Sequence, residues 1–98
     1  MQLECVFFGP FREDVGQKTV TLERDIDHVG ELLYELEGEY PLLEGRLLDS
    51  DGSGLGGLAD KTVVTKNTTD IRHLEGLETP LEDGDVLRLV PSVYGGYH

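Results

Sequence analysis

The chain has 98 residues, 38% of them hydrophobic, so it can bury one small core and is too short for two domains with separate cores. Its 20 acidic and 8 basic residues give a formal net charge of −12, which disfavours binding to nucleic-acid phosphates. The acidic residues are spread along the chain. They favour either solubility in high salt, as in a protein from a halophilic organism, or attraction to a basic partner surface.

Cysteine and hydrophobic patterning restrict the cellular setting. The single cysteine, Cys5, excludes an internal disulfide and a multi-cysteine zinc site. No apolar run approaches the roughly 20 residues that a membrane-spanning helix needs, and the first residues lack the basic region of a signal peptide. We therefore expect a cytoplasmic protein that does not associate with membranes.

Two strands are predicted first. Residues 2–8 alternate, with Leu3, Cys5 and Phe7 on one face, and they end at Gly9-Pro10. Residues 18–23 alternate again after a polar stretch. The pattern predicts a β-hairpin with a long connection.

One amphipathic helix is predicted at residues 28–39. Apolar residues from Val29 to Tyr40 follow helical spacing, and either Asp25 or Asp27 can cap the helix. Pro41 ends it, and the leucines of residues 42–48 predict a second, shorter apolar cluster.

The second half supplies further strands. A Gly-rich loop at residues 49–57 precedes a β-branched strand at residues 62–65 and a turn that begins at Asn67. An acidic turn at residues 81–85 leads into a strand at residues 86–90. This order predicts an α+β fold with a mixed sheet of four to five strands and one main helix, because it lacks the regular alternation of a doubly wound sheet.

The segment from Leu81 to Gly96, LEDGDVLRLVPSVYGG, carries the most specific signal. It combines an acidic turn with glycine, a final strand, the closing Pro91 and a Gly-Gly pair. The chain resembles the MoaD/ThiS family of sulfur carriers and the related small archaeal modifier proteins. The resemblance implies a β-grasp, ubiquitin-like domain over residues 1–91 and a flexible C-terminal tail over residues 92–98.

In that family an E1-like enzyme uses ATP to adenylate the terminal glycine carboxylate, which then becomes a thiocarboxylate or is joined to a lysine. The resemblance places this activation at Gly96, with Gly95 beside it, because glycines without Cβ atoms pass through a narrow channel. It implies three partners: the E1-like enzyme, the large subunit of molybdopterin synthase, and lysines of target proteins. The chain itself is expected to be no enzyme, with no catalytic residue, metal or bound cofactor.

Two residues follow the expected terminal glycine. Tyr97 and His98 hold the Gly96 carbonyl in an amide, so processing between Gly96 and Tyr97 must precede activation. A JAMM-type metalloprotease is the candidate for maturation or removal. Two alternatives stay open: that the last two residues are not native, and that the chain is an interaction module that docks through its sheet without acyl chemistry.

A docking surface is predicted on the outward face of the first and last strands. Its candidate residues are Val6, Phe8, Val86, Arg88 and Val90, with Pro91 and Tyr94 leading into the tail. An apolar patch of this kind suits an activating enzyme or a synthase subunit. If the strand parity were shifted by one residue, half of these side chains would instead pack under the helix.

Four other features are weaker. The loop from Asp49 to Asp60 mimics a calcium loop, but its last position is Asp where a bidentate Glu is needed, and a strand-like segment follows. Its glycines lack the Gly-Lys of a phosphate loop. Cys5 is expected to pack as a small hydrophobe, and the histidines lack metal-ligand spacing.

Overall fold

The computed structural model describes residues 1–48 and 62–91. In these two ranges the strands and helices, in chain order, are β1 (Gln2–Phe7), α1 (Pro10–Val15), β2 (Thr19–Glu23), α2 (Val29–Glu39), β3 (Thr62–Lys66), β4 (Thr69–Asp70) and β5 (Val86–Pro91). Short 3₁₀ turns lie at Pro41–Leu43, Ile71–His73 and Gly76–Glu78. The Gly-rich loop and the C-terminal tail, with the expected domain boundary after residue 91, lie outside the described residues.

The strands form one five-stranded sheet in the order β2-β1-β5-β3-β4. β1 pairs antiparallel with β2 and parallel with β5, and β3 pairs antiparallel with both β5 and β4. The predicted mixed sheet with one main helix is confirmed, with five strands. The first and last strands are neighbours near its centre, as the resemblance implied.

The core lies between the sheet and α2. Leu3, Cys5 and Phe7 of β1 and Leu87 and Leu89 of β5 are fully buried. From the other side α2 contributes side chains that are also fully buried: Val29, Leu32, Leu33 and Leu36. β1 and β5 therefore bury alternate residues against the helix, which confirms their predicted parity.

The connection between β1 and β2 differs from the prediction. Its first part is a short helix, α1, with Pro10 in the first turn and Gly16 in the left-handed conformation at its C-cap, where φ is 90°. Phe11 is buried in the core and anchors this helix. A six-residue helix with a single fully buried anchor is too short to show a hydrophobic period, which explains why the polar sequence predicted only a loop.

The cap of α2 also differs from the prediction. Neither Asp25 nor Asp27 caps the helix; the Nδ1 atom of His28 accepts a hydrogen bond of 3.2 Å from the Glu31 N–H. The Glu31 side chain reaches back and accepts a hydrogen bond of 3.0 Å from the Asp27 N–H. The pair works like a capping box, with an imidazole in the place of the usual hydroxyl.

The leucine cluster after α2 closes one end of the core. Leu43 and Leu47 are fully buried, whereas Leu42 is 64% exposed. Glu37 of α2 holds this segment, because its Oε2 atom accepts hydrogen bonds from three consecutive or near-consecutive N–H groups, those of Gly45, Leu47 and Leu48, at 3.1, 3.0 and 2.8 Å. Within the described ranges, no helix is long and apolar enough to cross a bilayer.

Candidate functional site

The strand that precedes the Gly-Gly tail lies in the interior of the sheet. β5 is hydrogen bonded to β1 on one side and to β3 on the other. Its last residue, Pro91, is in register with Thr62 of β3. The chain therefore leaves the described structure from a strand that is fixed on both edges, while the expected site residues Tyr94, Gly95, Gly96 and Tyr97 lie outside the described residues.

The acidic turn before β5 fastens the start of the strand. Gly84 has a φ of 89°, a left-handed conformation that a side chain would strain. Its N–H donates to the Gln2 carbonyl at 2.7 Å, and the Gln2 N–H donates to Asp83 Oδ1 at 2.6 Å. This part of the family-like motif thus joins the beginning of β1 to the beginning of β5.

Asp85 is a buried charge, with 8% of its surface exposed. Its Oδ2 atom accepts a hydrogen bond of 2.7 Å from the Glu82 N–H and lies 3.5 Å from the Lys66 ammonium. Its Oδ1 atom accepts a hydrogen bond of 3.2 Å from the Asn67 side chain. Several partners offset the cost of removing a carboxylate from water, so the second aspartate of the turn is structural.

Asn67 is a residue of this site that the sequence did not single out beyond its turn. It has a φ of 59°, which asparagine tolerates better than most residues. Its N–H donates to the Val86 carbonyl at 2.7 Å, its Oδ1 accepts from the Val86 N–H at 3.1 Å, and Arg88 donates to its carbonyl. The sequence does contain a signal for this hairpin turn, because an asparagine, a common turn residue, stands between the β-branched strand β3 and Thr68-Thr69.

The outer face of the sheet, opposite α2, is a mixed surface. Val6 is in register with Arg88, and Val63 with Val90, so these side chains share one face across three strands. Val6 and Val63 are only 7% and 5% exposed, whereas Val86, Arg88 and Val90 are half-buried. The structure thus brings Val6, Val86, Arg88 and Val90 together, as predicted. It adds Val63 of β3, which is in register with Val90.

One residue of the expected docking surface lies elsewhere. Pro91 is buried and falls on the α2 side of the sheet, because it continues the alternation of Leu87 and Leu89. It is therefore not part of the outer face, and its expected part in docking stays a prediction. Phe8 is half-buried just after β1, where its N–H donates to the Leu89 carbonyl at 3.1 Å.

Cys5 is placed for packing. It is fully buried, and burial, together with Glu4 and Glu39, raises the pKa of its thiol to about 12. A thiol of this kind stays protonated near neutral pH and cannot serve as a nucleophile there.

Metal-binding side chains are not gathered in the described ranges. Residues 1–48 and 62–91 contain no group of three or more His, Cys, Asp or Glu residues that could hold an ion. The calcium-like segment from Asp49 to Asp60 lies outside them and is not tested.

Comparison with known proteins agrees with this architecture. The model of the ThiS family matches residues 5–96. The chain is 42% identical over 97 residues to Small archaeal modifier protein 3 of Haloferax volcanii, covering 98% of this chain and all of that protein. It is 35% identical over 81 residues to Sulfur carrier protein CysO of Mycobacterium bovis, covering 83% of each.

A solved structure shows the same fold. The small archaeal modifier protein 1 from Methanosarcina acetivorans superimposes with a TM-score of 0.82 at 30% identity, covering 97% of this chain and 96% of that one. The family match and the nearly full-length similarity agree with this shared fold, and the chain belongs to the ThiS family of ubiquitin-like sulfur carriers and protein modifiers.

Proposed function

We propose that this protein is a carrier whose Gly96 carboxylate, exposed by removal of Tyr97 and His98, is activated by an E1-like enzyme. The observation that supports this most directly is the extent of the family match, which ends at residue 96, the second glycine of the Gly-Gly pair. Relatives named as a modifier protein and as a sulfur carrier match the chain over most of its length, which supports both uses of that carboxylate.

The chemistry starts with a carboxylate, which is a poor acylating agent. The activating enzyme would join the Gly96 carboxylate to the α-phosphate of ATP, forming an acyl-adenylate and releasing pyrophosphate. Hydrosulfide, as the sulfur donor, then attacks the carbonyl carbon and loses its proton to give a thiocarboxylate, or a neutral lysine amine attacks it and loses a proton to give an isopeptide bond. In either case AMP leaves with the electron pair of the broken C–O bond.

The described domain would act as the handle in this reaction. Since β5 is held on both sides, Pro91 presents a fixed origin for the tail. Five residues, 92–96, separate that origin from the end of Gly96 and span at most about 18 Å when extended. The adenylation centre of the enzyme must therefore lie within this distance of the end of β5, and the outer face with Val6, Arg88 and Val90 is the surface we propose for contact.

We propose two outcomes for the activated protein. One is sulfur transfer, in molybdopterin synthesis or in tRNA thiolation, and the other is conjugation to lysines. Both depend on the same acyl-adenylate, so they are distinguished by product. Isopeptide linkage of Gly96 to other proteins supports modification, and loss of molybdoenzyme activity on deletion supports sulfur supply. A JAMM-type metalloprotease is the proposed agent of maturation or of release.

The decisive experiment is the intact mass of the untagged protein isolated from its own cells. We expect a chain shortened by Tyr97 and His98, with oxygen or sulfur at the Gly96 carboxyl. Full-length protein alone, under conditions in which related pathways operate, would contradict the proposal and favour a docking module that never undergoes acyl chemistry.

A matched pair of chains tests activation directly. Protein ending at Gly96 and protein ending at His98 are each mixed with the E1-like enzyme of the same cell, ATP and labelled pyrophosphate. We expect pyrophosphate exchange into ATP only with the shorter chain, because only that chain has a free glycine carboxylate. Replacing Gly95 and Gly96 by valine should abolish exchange; exchange that is unchanged would contradict a role for this pair.

A further inference from the structure

A second surface lies on the side of α2 that faces away from the sheet. Tyr34 is 72% exposed there, unlike its neighbours Leu32, Leu33 and Leu36 in the core. It borders a depression of about 340 Å³ that is also lined by Glu35, Glu37, Gly38 and Glu44. This surface, the Tyr34 depression, is separate from the outer face of the sheet and has no part in the proposed acyl chemistry.

Gly38 lines the depression without a side chain of its own. Gly38 lies one helical turn after Tyr34, on the same side of α2. A Cβ atom built at Gly38 meets nothing within 4 Å, so the space above it is open. Glycine in the middle of a helix is unfavourable relative to alanine, and no positive φ or close approach requires it here.

The walls are carboxylates that are held in place. Arg24 holds Glu35 in place, with 2.7 Å between Arg24 Nη1 and Glu35 Oε1. Three backbone N–H groups of the segment after α2 fix Glu37. Glu44 is exposed on the rim. Acidic side chains that are already ordered lose little entropy when they bind a cation.

We propose that the Tyr34 depression binds an arginine side chain presented by a partner protein. The guanidinium plane stacks on an aromatic ring and donates to carboxylates in a fixed fork, which matches a tyrosine beside glutamates. Three of the five lining residues are glutamates and none is basic. Arg24 already pairs with Glu35, so the carboxylates of Glu37 and Glu44 supply the complementary charge. The net charge of −12 adds a long-range attraction for a basic partner, which acts at the Tyr34 depression and at the outer face of the sheet alike.

The position of this site permits simultaneous binding. The Tyr34 depression and the outer face with Arg88 and Val90 lie on opposite sides of the molecule, separated by the sheet and α2. A partner can hold the protein through α2 while an activating enzyme occupies the sheet and the tail.

The test uses the ¹⁵N-labelled protein and two acetylated, amidated pentapeptides, Gly-Gly-Arg-Gly-Gly and the same sequence with norleucine in place of arginine. Titration in 1 M KCl suppresses the diffuse attraction of the net charge, because the screening length there is about 3 Å. We expect the amide shifts of Tyr34, Gly38 and Glu44 to change with the arginine peptide and to stay constant with the norleucine peptide.

Variants test separately the contributions of the Tyr34 ring, the Glu44 charge and the open space above Gly38. Tyr34→Ala should weaken binding by about fivefold or more, whereas Tyr34→Phe should bind within about twofold of the original. Gly38→Leu should block binding while the chain stays folded, since the new side chain fills open space. Glu44→Gln should weaken binding, and Glu13→Gln, an exposed change on α1, should not.

Three results would overturn the proposal: shift changes spread evenly over the acidic surface, equal binding of the norleucine peptide, or unchanged arginine affinity in both Tyr34→Ala and Gly38→Leu. Circular dichroism of each variant confirms that it is folded before the titration is interpreted.

Discussion

The two faces of the same sheet differ in what they are built to do. On the α2 side, Leu3, Phe7, Leu87 and Leu89 are fully buried against the helix. On the outer face, the alternate residues Val86, Arg88 and Val90 are half-buried and mix apolar with charged side chains. The difference indicates that burial on the α2 side provides most of the stability of the fold, while the outer face remains accessible for binding.

The largest expected effect is a cavity on the α2 side. Leu89→Ala should lower the free energy of unfolding by about 2–5 kcal/mol, because it removes fully buried methyl groups and leaves a void. Its neighbour Val90, on the outer face, provides the matched control: Val90→Ala should cost about 1 kcal/mol or less. Urea denaturation at constant KCl concentration measures both, and equal losses would contradict the division of the faces.

The next largest effect is expected in the polar network at the start of β5. It tests whether one buried carboxylate contributes as much to the free energy of unfolding as an apolar core residue. Asp85→Ala removes the acceptor for Glu82 and Asn67 and leaves the Lys66 ammonium without this carboxylate. We expect a loss of about 2–3 kcal/mol, since hydrogen bonds to charged groups are worth more than neutral ones. Glu82→Gln, an exposed change in the same turn, should alter stability by less than about 0.5 kcal/mol. A small effect of Asp85→Ala in urea denaturation would show that the turn is held by its backbone alone.

Alkaline pH tests the α2 side through Cys5. The thiol pKa is raised from 9.0 to about 12 in the folded chain, so the native state retains a proton that the unfolded chain loses. The stabilisation is fully present below pH 9 and is lost as the pH rises from 9 towards 12, by about 1.4 kcal/mol per pH unit. Tyr40, whose pKa is also raised by burial, contributes in the same direction.

Urea denaturation at pH 8, 9, 10 and 11 follows this loss. Cys5→Ala should have a shallower decline above pH 9, while its stability at pH 8 is lower because of the missing sulfur. An identical slope in both proteins would show that the thiol gains solvent access before the chain unfolds.

The smallest effect is expected at the rim where the end of β2 meets α2. Arg24 bridges Glu35 and Glu39 at 2.7 and 2.6 Å but is 40% exposed. Arg24→Gln should therefore cost at most about 1 kcal/mol, and less as KCl concentration rises. A large loss of unfolding free energy that does not depend on salt would mean that Arg24 stabilises the fold as strongly as a core residue does.

Much of the sheet and its helix could be read from local patterns. Alternation identified which side of β1 and β5 is buried, and helical spacing located α2 to within one residue of its bounds. Short or weakly patterned elements escaped: α1 rests on Phe11, and β4 has two residues. Patterns of that length carry too few apolar positions to establish a period.

The candidate site divides in the same way. The Gly95-Gly96 pair, the acidic turn and the outward valines are visible in the sequence, and the family match reaches that pair. Pro91 ends the last strand in the sequence, and only the structure shows that it lies on the α2 side of the sheet. The tail residues themselves remain a prediction.

By itself, the sequence determined the family, the amphipathic faces of the strands and helix, and the position of the glycine pair, because these depend on residue type and on spacing along the chain. Only the tertiary structure decided the parallel register of β1 with β5, the network of Asp85 with Asn67 and Lys66, and the depression beside Tyr34. Each of these is a contact between segments that are distant in sequence or a shape left between elements. Local periodicity contains no information on such contacts, since they arise when the segments pack against one another.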